Sequence, residues 1–109
     1  YYLFYSANHF MSRDYAVGYA VADSPLGPWH KPANNRIIHR STVGENGSGH
    51  GDVFADKKGN LFYVYHVHHS NTTVSPRLTR IVPLHFIPST DGFDHVIVKK
   101  DEVIVPMKK

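Results

Sequence analysis

The sequence contains no cysteine among its 109 residues. Disulfide bonds, thiolate zinc sites and cysteine nucleophiles are therefore excluded together. No apolar run reaches the roughly 18 residues that a membrane-spanning helix requires. No stretch repeats its apolar residues with the 3.6-residue period of an amphipathic helix, and no phosphate-binding loop or nucleophile elbow is present. These absences argue against a disulfide-stabilised scaffold, a helical bundle and a membrane partner.

Neither basic nor acidic residues strongly predominate. The 12 basic and 9 acidic residues leave a formal net charge of only +3. The basic residues are scattered, and those that adjoin lie beside predicted turns or at the end of the sequence. These pairs are Lys57–Lys58, Lys99–Lys100 and Lys108–Lys109. A nucleic-acid-binding face would show a stripe of basic residues interleaved with aromatic ones, so we expect no nucleic-acid partner.

Tyrosine and histidine are the residues in excess. The chain has seven Tyr and nine His, with a single Trp. Apolar residues make up 41% of the sequence, which is enough to form a packed core rather than a disordered segment. Tyr, Trp and His together with scattered acidic residues fit a sugar-binding cleft, although such a composition is not specific for one.

Strand-forming segments recur roughly every 10 to 15 residues, separated by Gly and Pro, which is the pattern of an antiparallel meander. The predicted strands cover residues 1–6, 15–23, 51–56, 61–69 and 77–86, with two short strands within 93–106 and another at 34–40. Residues 41–49 are predicted to be a polar loop. The sequence therefore predicts an all-β fold.

A histidine with glycine on both sides stands before one of these strands, in the segment SGHGDVF at 48–54. Gly49 and Gly51 allow backbone angles that other residues resist, and they let another group come close. Such a setting suits a ligand or metal position at His50, and it equally suits an ordinary tight turn. Taken alone, the three residues favour the turn.

Four residues at 66–69, HVHH, offer a second place for a metal ion. In a strand, His66 and His68 point to the same face, and two imidazoles can share one ion. No third ligand stands at a fixed spacing, so the residues favour one buried histidine with the others solvated or in a polar groove. A structural metal site formed by His66, His68 and His69 stays open as an alternative.

Acidic residues decide whether glycosidic chemistry is possible, because it requires one carboxyl as the acid and another as the base or nucleophile. Most of the nine lie in predicted turns. Asp52, beside the glycine-framed histidine, is the one in a suggestive position. Nothing in the sequence pairs it with a second carboxylate.

Taken together, several stretches resemble the C-terminal part of glycoside hydrolase family 43. They are YYLFYSANHF, YAVGYAVADSPLGPW, GSGHGDVF, LFYVYHVHH and SPRLTRIVPLHF, which come in the family's order within residues 1–86. The resemblance implies a five-bladed β-propeller and hydrolysis, with inversion, of arabinose- or xylose-containing plant polysaccharides. The family includes β-xylosidases, α-L-arabinofuranosidases and arabinanases, and the resemblance also implies a periplasmic or extracellular location.

The resemblance also implies roles for individual residues. It directs His50 into the central channel, where the family histidine helps to hold a cation, often calcium, or a water cluster. Arg77 would reach the sugar in the innermost subsite, whereas Arg80 would lie on the opposite face of its strand. Asn8 and His9 would lie on the rim of the cleft.

The resemblance places the catalytic base, a second Asp and the general-acid Glu in earlier blades, so no catalytic residue is expected here. Glu45 and Asp52 do not replace them. Because a blade has roughly 40–50 residues, the chain amounts to about two blades, which we interpret as one C-terminal portion of a propeller without its upstream blades. We expect the chain alone to be inactive. We also expect it to have an apolar blade face that is covered by the missing blades, or by self-association when they are absent. A non-catalytic carbohydrate-binding or interaction module is the alternative.

Overall fold

The fold was obtained as a computed structural model that describes residues 1–9, 11–70, 72–90 and 92–106. Its strands are β1 (Tyr2–Ala7), β2 (Ala16–Val21), β3 (Gly49–Ala55), β4 (Leu61–Val67), β5 (Leu78–Pro83), β6 (His85–Ile87) and β7 (His95–Ile97). They form three antiparallel sheets, ordered β1–β2, β3–β4–β5 and β6–β7. The prediction of an antiparallel, mostly β chain is confirmed.

The segment between β2 and β3 differs from the expected strand and loop. Ile38 forms only an isolated bridge with Val17, and a short helix, α1 (Arg40–Val43), follows. The His39 side chain accepts a hydrogen bond from the Ser41 N–H, and the Thr42 hydroxyl accepts one from the His39 N–H. This reciprocal capping stabilises a turn of helix that apolar periodicity does not reveal.

The end of the described chain also differs from the two strands expected within 93–106. Only β7 forms there as a paired strand, and a 3₁₀ helix follows at Lys100–Glu102. Beyond it, Ile104 forms an isolated bridge with Ile81, which adds a single contact to the outer edge of β5. No helix in the described ranges is long and apolar enough to cross a membrane.

One core lies between the β1–β2 and β3–β4–β5 sheets. Along β4 the side chains alternate as a strand requires, with Tyr63, Tyr65 and Val67 buried and the residues between them half-buried. All six residues of β2 are buried. The buried core cluster contains Val17, Tyr19, Val21, Ile37, Ile38, Val43, Tyr63, Tyr65, Val67, Val82, Leu84 and Val96.

The opposite face of the β3–β4–β5 sheet is uncovered by the described residues. There Phe54 stacks on Phe62, with 5.3 Å between the ring centroids, and Phe54 is 41% exposed. Ile104, at the edge of this sheet, is 46% exposed. The sheet thus buries one apolar face and leaves part of the other in contact with solvent.

Candidate functional site

The glycine-framed histidine lies where β1, β3 and β4 come together. The His50 N–H donates a hydrogen bond of 2.9 Å to the hydroxyl of Ser6 in β1. Gly49 pairs with His66 of β4, and the pairing resumes at Asp52, so a bulge separates the two points. Because a bulge re-aims the residues within it, His50 is displaced from the regular ladder.

The two glycines are explained by close packing. A Cβ atom on Gly51 would lie 1.8 Å from the carbonyl oxygen of Val64, and one on Gly49 would lie 2.7 Å from the Tyr15 ring. His50 between them has φ of +52°, in the left-handed region that non-glycine residues rarely adopt. The segment is therefore a bulged strand, which differs from the tight turn that the three residues alone favoured.

His50 and His66 form a pair of imidazoles. The Nδ1 atom of His50 is 3.2 Å from the Nε2 atom of His66, and the rings are nearly perpendicular, at 87°. A hydrogen bond at this distance requires a proton on one of the two nitrogens and not on both. Burial lowers the pKa of His66, with further lowering by the charges of Arg77, His50 and His68. The lowered pKa favours the neutral form of His66, which can donate or accept in this pair.

An open cavity of about 390 Å³ adjoins this pair. It is lined by His50, Gly51, Asp52, Val64, Tyr65, His66 and Thr79. A second cavity, of about 380 Å³, lies on the side of β1 and shares Gly51 and Asp52 with the first. Burial, followed by the Asp52 carboxylate, raises the pKa of Tyr63 to about 12, so this phenol stays protonated. Among the described residues, Asp52 is the only carboxylate that lines either cavity.

Arg80 lies in β5 and Arg77 directly precedes it, and the two side chains act on different parts of the protein. Arg80 makes a two-pronged ion pair with Glu45, with N···O distances of 2.9 and 3.1 Å, and its side chain is only 11% exposed. Arg80 faces Tyr65 across the sheet, on the core side. The charge of Arg77 instead acts on His66. Arg77 thus acts electrostatically on His66, and Arg80 anchors the loop before His50.

Asn8 and His9 lie in the loop after β1, and both are exposed. The Asn8 side-chain amide donates to the carbonyl oxygen of Asp14 at 2.8 Å, and the His9 Nδ1 atom accepts from the Met11 N–H at 3.1 Å. These contacts order the loop. A role for Asn8 and His9 at the rim of a substrate cleft stays a prediction.

The histidines of the 66–69 segment do not converge. His66 turns to His50, whereas the His68 ring packs so closely against Gly47 that a Cβ there would lie 1.9 Å from it. His69 Nδ1 is 3.3 Å from the Thr73 hydroxyl oxygen. Within the described ranges, no group of three or more His, Cys, Asp or Glu side chains is arranged to hold a metal ion.

Calcium prefers six to eight oxygen ligands, and the donor set around His50 does not meet that need. The nearest side-chain partner of its imidazole is another imidazole nitrogen. The described residues alone therefore do not form a calcium site, and a calcium ion beside His50 would require oxygen ligands from elsewhere.

Sequence reasoning found the glycine-framed histidine but missed three features around it. The His50–His66 pair joins residues 16 apart, and the Glu45–Arg80 pair joins residues 35 apart. Tyr15, whose ring abuts Gly49 and lies 6.5 Å from that of His66, was also missed. A β-strand period reports which face a residue is on but not which neighbour it meets, so no local signal marks these pairs.

Small antiparallel sheets that pack face to face are found in both β-sandwiches and β-propellers. The family model of glycosyl hydrolases family 43 matches residues 1–92. The chain therefore belongs to glycosyl hydrolase family 43.

Solved structures support this assignment. An endo-1,4-β-xylanase of Bacteroides thetaiotaomicron superposes with a TM-score of 0.82 at 37% identity, over 97% of this chain and 35% of that one. A thermostable family-43 glycoside hydrolase gives a TM-score of 0.74 at 42% identity, over 88% of this chain and 31% of that one. The chain thus matches about a third of each solved structure.

A curated relative also matches over part of its length. The β-D-galactofuranosidase xynD of Aspergillus niger is 31% identical over 87 residues, which are 79% of this chain and 25% of the relative. The chain therefore spans about a quarter of that relative.

Proposed function

We propose that the chain forms part of the substrate-facing surface of an inverting glycoside hydrolase that acts on arabinose- or xylose-containing polysaccharides. The observation that carries the proposal is the His50–His66 pair beside an open cavity, with the charge of Arg77 acting on the same pair. Neutral imidazoles donate and accept hydrogen bonds, and a guanidinium presents a fixed set of donors. Together they can hold the vicinal hydroxyls of a sugar ring.

The acid and base of the reaction come, in this proposal, from parts of the enzyme outside these 109 residues. Inversion requires two carboxyl groups roughly 6.5–9.5 Å apart, one to protonate the leaving oxygen and one to activate water. Among the described residues, Asp52 is the one carboxylate that lines the two cavities beside Gly51. We therefore assign binding and electrostatic roles to this surface and expect no hydrolysis by the chain alone.

Two relatives bear names that favour different sugars, a β-xylanase and a β-D-galactofuranosidase. We prefer xylose- or arabinose-containing substrates, because the xylanase is the more similar in sequence and matches nearly all of this chain. Calcium beside His50 belongs to the same proposal, with its oxygen ligands supplied by the rest of the propeller or by water.

The uncovered face around Phe54 and Phe62 fits a propeller in which further blades pack against the β3–β4–β5 sheet. An apolar sheet face that lacks this cover favours association. We propose that the partners of this face are further blades, or a second copy of the chain when those blades are absent.

Hydrolysis assays on the longer protein that carries this chain test the proposal. Aryl β-xylosides, aryl α-L-arabinofuranosides and xylan are the substrates, and NMR of the first-formed anomer reports inversion. We expect turnover by the longer protein and none by the 109-residue chain. Turnover by the purified chain alone, or retention of anomeric configuration, would overturn the assignment.

A further inference from the structure

A further cavity of the molecule is separate from the His50 cavity. Its volume is about 530 Å³, within the range of small-molecule sites. It is lined by Tyr1, Tyr2, Val21, Ala22, Asp23, Pro28, His30, Gly92 and Phe93. Tyr2 and Ser6 are four residues apart on β1, roughly 13 Å at the rise of a strand. The cavity therefore lies at the end of β1 away from the Ser6–His50 contact.

The walls of this cavity are held by backbone hydrogen bonds. Val21 and His30 exchange two bonds of 2.8 Å each, and Tyr1 and Ala22 also exchange two, at 2.9 and 3.0 Å. The Tyr2 hydroxyl donates to the carbonyl oxygen of Asp94 at 2.7 Å. The backbone around the cavity is thus fixed before any ligand arrives.

Aromatic rings form one side of the cavity. The ring centroid of the half-buried Phe93 is 6.1 Å from that of His30 and 5.4 Å from that of His95. Tyr1 is 65% exposed. Exposed aromatic rings bind well to the apolar faces of pyranose rings, because these faces carry C–H groups that meet the negative face of the π-system.

Polar groups with unused bonding capacity stand beside these rings. Among the described residues, the Asp23 carboxylate and the ring nitrogens of His30 form no hydrogen bond or ion pair with the protein. Both residues are exposed. A carboxylate accepts two hydrogen bonds, and an imidazole both donates and accepts. This set matches the vicinal hydroxyls of a neutral sugar.

We propose that this cavity is a saccharide-binding subsite, separate from the His50 cavity, that takes a neutral oligosaccharide. Asp23 and His30 bind hydroxyls, and Phe93 with Tyr1 supplies the aromatic surface. Such a subsite holds the chain of a polymeric substrate without taking part in bond cleavage. The choice of xylo-oligosaccharides as the probe rests on the proposed function.

Titration of the 109-residue chain with xylotetraose, followed by amide NMR shifts, tests the inference. We expect shift changes to centre on Val21, Asp23, His30 and Phe93. The D23N and H30A variants should each weaken binding roughly 3- to 10-fold, since each removes about one hydrogen bond. D101N and H69A are matched exposed controls that should bind as the parent does, and the amide spectrum of each variant reports its folding.

The outcomes separate this inference from the proposed function. Shift changes confined to residues around His50, or equal binding by D23N and D101N, would overturn the subsite. Shift changes at Asp23 and His30 that persist in H50A support it. If xylotetraose shifts these residues but the longer protein hydrolyses no substrate, the subsite stands and the proposed function is wrong. If the longer protein hydrolyses its substrates but xylotetraose causes no such shift changes, the proposed function stands and the subsite is wrong.

Discussion

Strands β2 and β3 have similar lengths and small residues in both, yet their burial is opposite. All six residues of β2 are buried, whereas only Gly49 of the seven in β3 is. β2 lies in the core and is fixed further by Asn35, whose side chain bonds both the N–H and the carbonyl of Tyr19. β3 has the core on one face only. The candidate site therefore lies in the sheet that is only half covered.

This difference teaches that the two sheets tolerate change differently. In β2, every residue is constrained by the packing around it. In the β3–β4–β5 sheet, substitution is restricted mainly at a few contacts. Examples are the close packing of Gly51 against Val64 and the ion pair of Glu45 with Arg80. Substitutions at these points should sharpen the comparison, and substitutions on the open face should leave the fold intact.

The largest effect is expected from Gly51→Ala. Its Cβ would lie 1.8 Å from the Val64 carbonyl oxygen, so β3 has to move away from β4, at a cost of about 3 kcal/mol in the free energy of unfolding. Gly59→Ala is the control, because nothing lies within 4 Å of its Cβ. Only the positive φ of this residue should lower the free energy of unfolding, by about 1 kcal/mol. Urea unfolding measures both. Equal losses would contradict the close approach.

Arg77→Ala comes next, measured in the longer protein. If Arg77 holds sugar hydroxyls, its loss should lower kcat/KM on the order of 10- to 150-fold, the worth of a charge-assisted contact. Arg77→Lys should recover little, because lysine keeps the charge without the planar fork. Full activity in Arg77→Ala would remove this residue from the site.

Arg80→Ala should act on stability instead of kinetics. It leaves Glu45 beside the core without its partner, and we expect a loss of roughly 2 kcal/mol in the free energy of unfolding. Arg40→Ala, which breaks a more exposed ion pair with Asp14, should cost much less. Should Arg80→Ala stay as stable as the parent while kcat/KM falls, the roles of Arg77 and Arg80 are exchanged.

Phe54→Lys tests the uncovered face. The 109-residue chain should self-associate through this face, and a charge beside Phe62 should weaken association about 10-fold without lowering stability by more than about 0.5 kcal/mol. Sedimentation velocity over a concentration series measures it. Lys57→Ala, an exposed change in the β3–β4 turn, is the control. A parent chain that stays monomeric at high concentration would contradict the expectation.

The smallest effect is a pH dependence at His66. Its pKa in the folded protein is lowered, so the unfolded chain binds more protons as the pH falls through about 6.5, and the folded state loses stability there. The loss should be below about 1 kcal/mol and absent in His66→Asn. NMR titration of the imidazole and unfolding at pH 7.5 and 5 measure it. A titration midpoint of His66 above pH 6.5 in the folded protein would contradict this prediction, because protonation would then stabilise the fold.

Local patterns in the sequence predicted the class of fold and the family. Alternating residues with Gly and Pro between them predicted the antiparallel strands, and the quoted motifs predicted glycoside hydrolase family 43. The isolation of His50 between Gly49 and Gly51 also marked the position at which three strands meet. These features are local, because strand alternation and turn chemistry depend on neighbours along the chain.

The contacts of His50 and the covered faces of the sheets follow from the tertiary structure and not from local sequence. Its partner His66 is set by the register of β3 on β4 and by the bulge between Gly49 and Asp52. The capping of α1 and the Glu45–Arg80 pair likewise depend on geometry that a two-residue period does not encode. Alternation assigns a side chain to a face, but contacts between residues 16 or 35 apart follow from how the sheets pack.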